Sequence, residues 1–100
     1  HVEEDIMRYI VNIVNHIRKS EGVLLGPSPR ASVMVLRLAK AIATIRKRNY
    51  VIPDDVKYVV PYVLRHRVLL KHGLGTSLWN QVLEVQEMIR NVLNTIAIPW

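Results

Sequence analysis

Arg30 is the residue whose type and position most ask for a chemical explanation. The stretch Gly26-Pro27-Ser28-Pro29 reads as a rigid loop that opens a helix, with Ser28 as the N-cap and Pro29 at the first helical position. Arg30 then falls in the first turn, where a cation opposes the helix macrodipole at a cost of about 0.3–1 kcal/mol. Two other helix starts follow the ordinary preference for acids, with Glu3, Glu4 and Asp5 in one and Asp54 and Asp55 in the other. A positive helix end that also carries a guanidinium is suited to an anion, and to phosphate above all. Alternatively, Arg30 lies along the surface against a carboxylate of its own domain. The residues alone do not separate the two.

The rest of the chain offers little that could complete an active site. No Gly-x-x-x-x-Gly-Lys-Ser/Thr phosphate loop occurs. Gly73-Leu74-Gly75 lacks a third glycine and a preceding strand, so it reads as a loop. The histidines are His1, His16, His66 and His72, and none forms the i, i+4 pair with a nearby carboxylate that metalloenzymes use. No metal site is expected, and His16 reads as a surface residue. Asp54-Asp55 could be a carboxylate dyad, but behind a proline at a helix start the pair reads as dipole-matched capping. No nucleophile, base and orienting acid assemble. The expectation is a domain that is inert alone and works as one piece of a larger assembly.

Length and composition agree. One hundred residues, half of them hydrophobic, make one domain spanning 1–100 with a modest core. The absence of cysteine rules out disulfides and thiolate zinc sites and suits a reducing, cytoplasmic home. No apolar run approaches the roughly 18 residues of a membrane span, and no signal peptide opens the chain. His1 in place of Met suggests a segment of something longer. The net charge of +6 is unevenly spread. Residues 26–50 hold six basic and no acidic side chains, residues 51–72 four basic and two acidic, and each flank carries a net −1. Such a cationic zone binds an anionic partner or simply solvates a helix face.

The elements that must position Arg30 read as four helices. Residues 2–20 are amphipathic, with Ile6, Ile10, Ile13, Val14 and Ile17 at helical spacing and Gly22 as the stop. The second helix runs to about Arg46. Its expected buried stripe is Ala31, Val35, Leu38, Ile42 and Ile45, with Arg37, Lys40, Thr44 and Lys47 wet. Pro53 opens the third, with Val56, Val59 and Val60 inward; Pro61 should end or kink it, and a further turn or two follows through Leu64 and His66. Val68-Leu69-Leu70 is expected to be a short extended piece beside Val51-Ile52. Thr76 or Ser77 caps a fourth helix to about Ile96, with Val82, Val85, Ile89, Val92, Leu93 and Ile96 inward. The predicted fold class is all-α, a small four-helix bundle with a kinked third helix and a very short strand pair.

Three segments resemble a known family, in the right order. Gly26-Pro27-Ser28-Pro29-Arg30-Ala31 resembles the Gly-x-Ser-Pro-Arg-Ala segment in the lid of MoxR-family AAA+ ATPases. Tyr50-Val51-Ile52-Pro53-Asp54-Asp55-Val56 is similar to that family's Tyr-Val-Thr-Pro-x-Asp-Val, and Val63-Leu64-Arg65-His66-Arg67 to its Val-Leu-x-His-Arg. The closing Ile96-Ala97-Ile98-Pro99 is similar to the apolar tail of many members. The resemblance implies a C-terminal helical lid, cut from a chain whose upstream core holds the Walker A and Walker B motifs. It implies that Arg30 is the sensor-2 arginine reaching the γ-phosphate of ATP, with Ser28 and Pro29 on the phosphate side and Mg held in the core. It further implies rings of six subunits, nucleotide-driven rigid-body rotation of the lid, chaperone-like remodelling of partner proteins, and a von Willebrand A-type partner, sometimes for metal-cofactor insertion. Pro27 departs from the family's usual alanine and stiffens the loop. Ile52 departs from its threonine and deprives the third helix of a side-chain N-cap.

Two rival classes follow from the residues. In a DNA-binding helical module, Arg46-Lys47-Arg48 and Arg65-His66-Arg67 would contact backbone phosphates. Against this, neither cluster leads into a helix with base-reading side chains, so nucleic acid is disfavoured. Local packing is the slightly favoured role for Arg65, His66 and Arg67, over contact with a neighbouring subunit. In a plain interaction bundle, Trp79 and Trp100 would anchor an interface, although Trp79 is expected to cap the core.

Overall fold

The computed structural model describes residues 2–71 and 77–98. Helix α1 spans Val2–Arg18. Ile6, Ile10, Ile13, Val14 and Ile17 are all buried, so the expected stripe holds. Tyr9 joins them in the interior, and among the described residues its hydroxyl has no hydrogen-bond partner. Burial, reinforced by the negative charge of Asp54, pushes its phenol above the ordinary value. The helix ends slightly earlier than expected. Gly22, at φ 88°, then turns the chain into strand β1, Val23–Leu25. A left-handed backbone of this kind is open to glycine at no steric cost.

Strand β1 pairs antiparallel with β2, Leu69–Leu70, placing Val23 opposite Leu70. This corrects the expected pairing with Val51-Ile52. The Ile52 N–H is already given to the Asp55 carboxylate at 3.0 Å, so that segment runs straight into the next helix.

Helix α2, Pro29–Ile45, also departs from expectation. Its buried face is Ala31, Ser32, Val35, Ala39 and Ala43, with Ile42 partly buried. Leu38 and Ile45 face outward, the latter 75 % exposed. The ridge of small side chains at four-residue spacing lets neighbouring helices approach closely, and the helix turns that ridge inward in preference to its larger residues. Arg37, Lys40, Thr44 and Lys47 are exposed, as expected.

Helix α3, Pro53–Leu64, continues through Pro61. A mid-helix proline costs about 3 kcal/mol. Continuing the helix buries Val63 and Leu64, each worth about 1.5–3 kcal/mol. The Arg65 N–H closes the last turn on the Pro61 carbonyl at 3.1 Å.

Helix α4, Leu78–Thr95, is capped by Ser77, whose hydroxyl accepts from the Asn80 N–H at 3.2 Å; Thr76 lies outside the described residues. Val82, Val85, Ile89, Val92 and Leu93 are buried and Ile96 partly so. Trp79 does not cap the core. It is 68 % exposed, on the outer face with Leu83 and Arg90, one and three turns further on. Trp100 lies outside the described residues.

The end of α2 is tied by backbone bonds in the reciprocal pattern that closes many helices. Lys47 N–H donates to the Thr44 carbonyl and Arg48 N–H to the Ala43 carbonyl, both at 2.9 Å. The pattern needs a left-handed residue, and Lys47 supplies it at φ 64°. A non-glycine residue there costs roughly 1–2 kcal/mol. Lys47→Gly is therefore expected to stabilise the chain by about 1 kcal/mol, raising the thermal midpoint by roughly 4–8 °C. Calorimetry of the two proteins checks this.

Candidate functional site

Arg30 is presented by a loop wedged against α1. A Cβ built at Gly26 would stand 2.8 Å from the Arg18 Cα and 2.7 Å from its Cγ, so only glycine fits this close approach. Pro27 is buried beside it, while Ser28, Pro29 and Arg30 are exposed. Ser28 occupies the N-cap position in an extended conformation (φ −74°, ψ 163°), and Pro29 follows inside the helix start. The Ser28 carbonyl accepts from the Ala31 N–H at 2.9 Å, but its hydroxyl makes no capping hydrogen bond. The first turn contains no acidic residue. Among the described residues, no carboxylate or carbonyl engages the Arg30 guanidinium. An uncapped positive helix end and an unpaired cation thus lie side by side on the surface. Spaced along α2 from Arg30 are Met34, Leu38 and Ile45, all exposed apolar side chains.

The other end of α2 holds an arrangement that the residues alone did not reveal. Asp55 has no exposed surface. Arg48 grips its carboxylate with both terminal nitrogens, Nη1 to Oδ2 and Nη2 to Oδ1, each at 2.7 Å. Arg46 Nη1 adds a bond to Oδ1 at 3.1 Å, and the Ile52 N–H donates to Oδ2 at 3.0 Å. Arg48 also donates to the Tyr50 carbonyl at 3.1 Å. The hydrogen bonds from Arg48 hold the Asp55 carboxyl below the usual carboxylate range, outweighing the opposing effect of burial; the Ile52 N–H and the charge of Arg46 act in the same direction. Asp55 is thus an ion-pair hub as well as a dipole-matched acid. The signal was an acid inside an apolar run, Val51 to Val60, a short connector away from two arginines.

The hub also ties Arg48, and one nitrogen of Arg46, to an acid within the domain, which reduces the basic surface credited to a DNA-binding module. In the second cluster, Arg65 lies over the Tyr62 ring. Arg67 donates to the Val63 carbonyl at 3.0 Å and reaches the Met34 sulfur at 3.4 Å. His66 and His16 are exposed; His1 and His72 lie outside the described residues. Among the described residues, no group of His, Asp or Glu could hold a metal ion, and no helix is long and apolar enough to cross a membrane.

Comparison with known proteins bears on the whole chain. Residues 15–90 match the family described as AAA lid domain. The chain is 34 % identical to the uncharacterized protein YeaC of Bacillus subtilis over 97 % of its own length and 29 % of YeaC. It is 36 % identical to the chaperone MoxR1 of Mycobacterium tuberculosis over 98 % of its own length and 27 % of that protein. The chain therefore spans less than a third of these relatives. In three dimensions it is similar to the crystal structure of an inferred ATPase from Cytophaga hutchinsonii, with a TM-score of 0.78 and 29 % identity, covering 95 % of this chain and 30 % of the other.

Two outcomes follow from the geometry. Asp55→Asn leaves Arg46 and Arg48 facing a neutral amide and is expected to destabilise the fold by about 3 kcal/mol. Because the Asp55 carboxyl is depressed in the folded chain, its stabilisation is full above the unfolded value of about 3.9 and is lost as pH falls below it. Acid-unfolding curves of the variant should therefore be flatter below about pH 4 than those of the parent. Gly26→Ala forces the loop off the Arg18 backbone and should cost about 1–3 kcal/mol, read by chemical denaturation.

Proposed function

This chain belongs to the AAA lid domain family, and from that premise we propose that it is the nucleotide-sensing lid, residues 1–100, of a longer MoxR-type AAA+ ATPase. The observation that carries the reading is the unpaired, exposed guanidinium of Arg30 at an uncapped helix start. A cation placed against the macrodipole, with no acid among the described residues to neutralise it, is poised for an anion delivered from outside the domain. In this reading Arg30 donates hydrogen bonds to the terminal phosphate of ATP held by the upstream core, and the helix end at Ser28 and Pro29 lies on the phosphate side. Mg and the phosphate loop belong to that core.

The chemistry asked of Arg30 is limited. It recognises the added negative charge of a triphosphate and stabilises charge as the terminal phosphoryl transfers. When that phosphate leaves, the attraction is lost and the lid reorients, passing the difference to partner proteins. The exposed apolar residues Met34, Leu38 and Ile45 on the Arg30 side of α2 suit a face that is covered when the lid docks on its core. Assembly into rings of six, chaperone-like remodelling of partner proteins, a von Willebrand A-type partner and a cytoplasmic setting complete the reading. The similarity to a chaperone and to an inferred ATPase supports it.

The test is Arg30→Ala in the full-length protein. A charge-assisted hydrogen bond contributes about 1.5–3 kcal/mol, so ATP turnover should fall roughly ten- to hundredfold. The thermal midpoint of the lid should stay unchanged, since among the described residues Arg30 makes no hydrogen bond or ion pair. Unaltered turnover would remove Arg30 from the mechanism.

A further inference from the structure

Along the outer face of α3 runs a row of exposed side chains that Arg30 does not use; it begins at Arg46, which closes α2 and also gives one nitrogen to Asp55. The Arg46 guanidinium lies over the Tyr58 ring, 5.3 Å from its centre. The Tyr58 and Tyr62 rings follow, their centres 5.5 Å apart and their planes tilted by 52°. The Arg65 guanidinium closes the row over the Tyr62 ring, again at 5.3 Å. Spacing of four residues puts both rings on one face of the helix. They remain 49 % and 59 % exposed, while Val56, Val59, Val60, Val63 and Leu64 bury the opposite side. Half-exposed tyrosines flanked by arginines are the residue types that anchor protein interfaces.

Charge selects the kind of partner. The row lies within residues 26–72, which carry ten basic side chains against two acidic ones, and one of those acids, Asp55, is sealed in the hub. Arg46 gives Nη1 to Asp55 and its side chain is still 43 % exposed, and Arg65 has only its Nε buried, so the terminal nitrogens not engaged in this way are left to meet a carboxylate. Among the described residues, no carboxylate pairs with Arg65. Single-stranded nucleic acid suits the surface less well. Base binding needs open aromatic faces, whereas each of these rings already bears a guanidinium and the two rings tilt against each other.

We infer that this face of α3 binds an acidic protein segment, an extended stretch in which two carboxylates flank apolar residues. The carboxylates meet Arg46 and Arg65, and the apolar residues lie on Tyr58 and Tyr62. The row advances in three steps of 5.3 to 5.5 Å, a length spanned by about four or five residues of extended chain at ~3.3 Å each. This inference does not depend on Arg30 or on nucleotide, so it stands or falls separately from the lid reading.

The experiment titrates the isotope-labelled chain with a synthetic nonapeptide in which glutamates flank three leucines, following amide shifts and affinity. Shifts should concentrate between Tyr58 and Arg65. The double variant Tyr58→Ala/Tyr62→Ala should bind at least tenfold more weakly. Tyr62→Glu, a change at the more exposed ring, should give a comparable loss if the double variant folds poorly. Arg37→Glu, which alters charge on another exposed face, should weaken binding less than threefold. The proposal is overturned by shifts spread over the whole cationic surface or by ring variants that bind normally. It is equally overturned if an oligothymidylate of the same length binds more tightly at these residues, or if sedimentation shows the free chain dimerising through this face.

Discussion

The fold turns on a carboxylate with no access to water. Removing Asp55 from solvent carries a desolvation penalty of several kcal/mol, tolerable only when its oxygens are fully matched. The match comes from a two-pronged guanidinium, a second guanidinium and a backbone amide. All these donors lie in the few residues that join α2 to α3. The hub therefore fixes how the chain leaves one helix and enters the next, and so the angle at which α2 lies in the bundle. The left-handed Lys47 sits between the two arginines that meet the acid.

The two ends of α2 contrast sharply. At its C-terminal end, backbone and side-chain groups are closed by partners within the domain. At its N-terminal end, the cap hydroxyl is idle, the first turn has no acid, and a cation projects into solvent. Of the places where a local rule is broken, such as Pro61 and the left-handed Lys47, the start of α2 is the one where the broken rule leaves a charge in solvent. The same helix is thus anchored where it meets α3 and left electrostatically unsatisfied where the proposed nucleotide arrives.

Periodicity carried the sequence reading as far as it could. The stripes of α1 and α4 are long, regular and composed of Ile, Val and Leu, so one face is inward whatever the neighbours are. In α2 the rule failed, because alanines buried by close helix contact hold little hydrophobicity, while Leu38 and Ile45 hold much and are exposed. Pro61 was expected to end or kink the helix, with a further turn or two through Leu64 and His66; the apolar surface that carries the helix on to Leu64 lay outside any local window. The partner of Leu69-Leu70 depended on a backbone amide already committed to Asp55. Arg30 stood out because its sign was wrong for its position, a signal that needs no tertiary context. The Asp55 hub did not, because an acid at a helix start already had an adequate local explanation.

The close approach of Gly26 to the backbone of Arg18 has a mechanical consequence. The loop that carries Arg30 is seated on α1 and cannot swing while the rest of the domain stays still. A pull on the guanidinium is transmitted to the bundle as a load at one end of a beam. A 17-residue helix is about 25 Å long, so a tilt of roughly 10° about the loop carries the α2–α3 junction about 4 Å. In the proposed lid, glycine at this position would turn a displacement of one side chain into leverage at the opposite end of the domain.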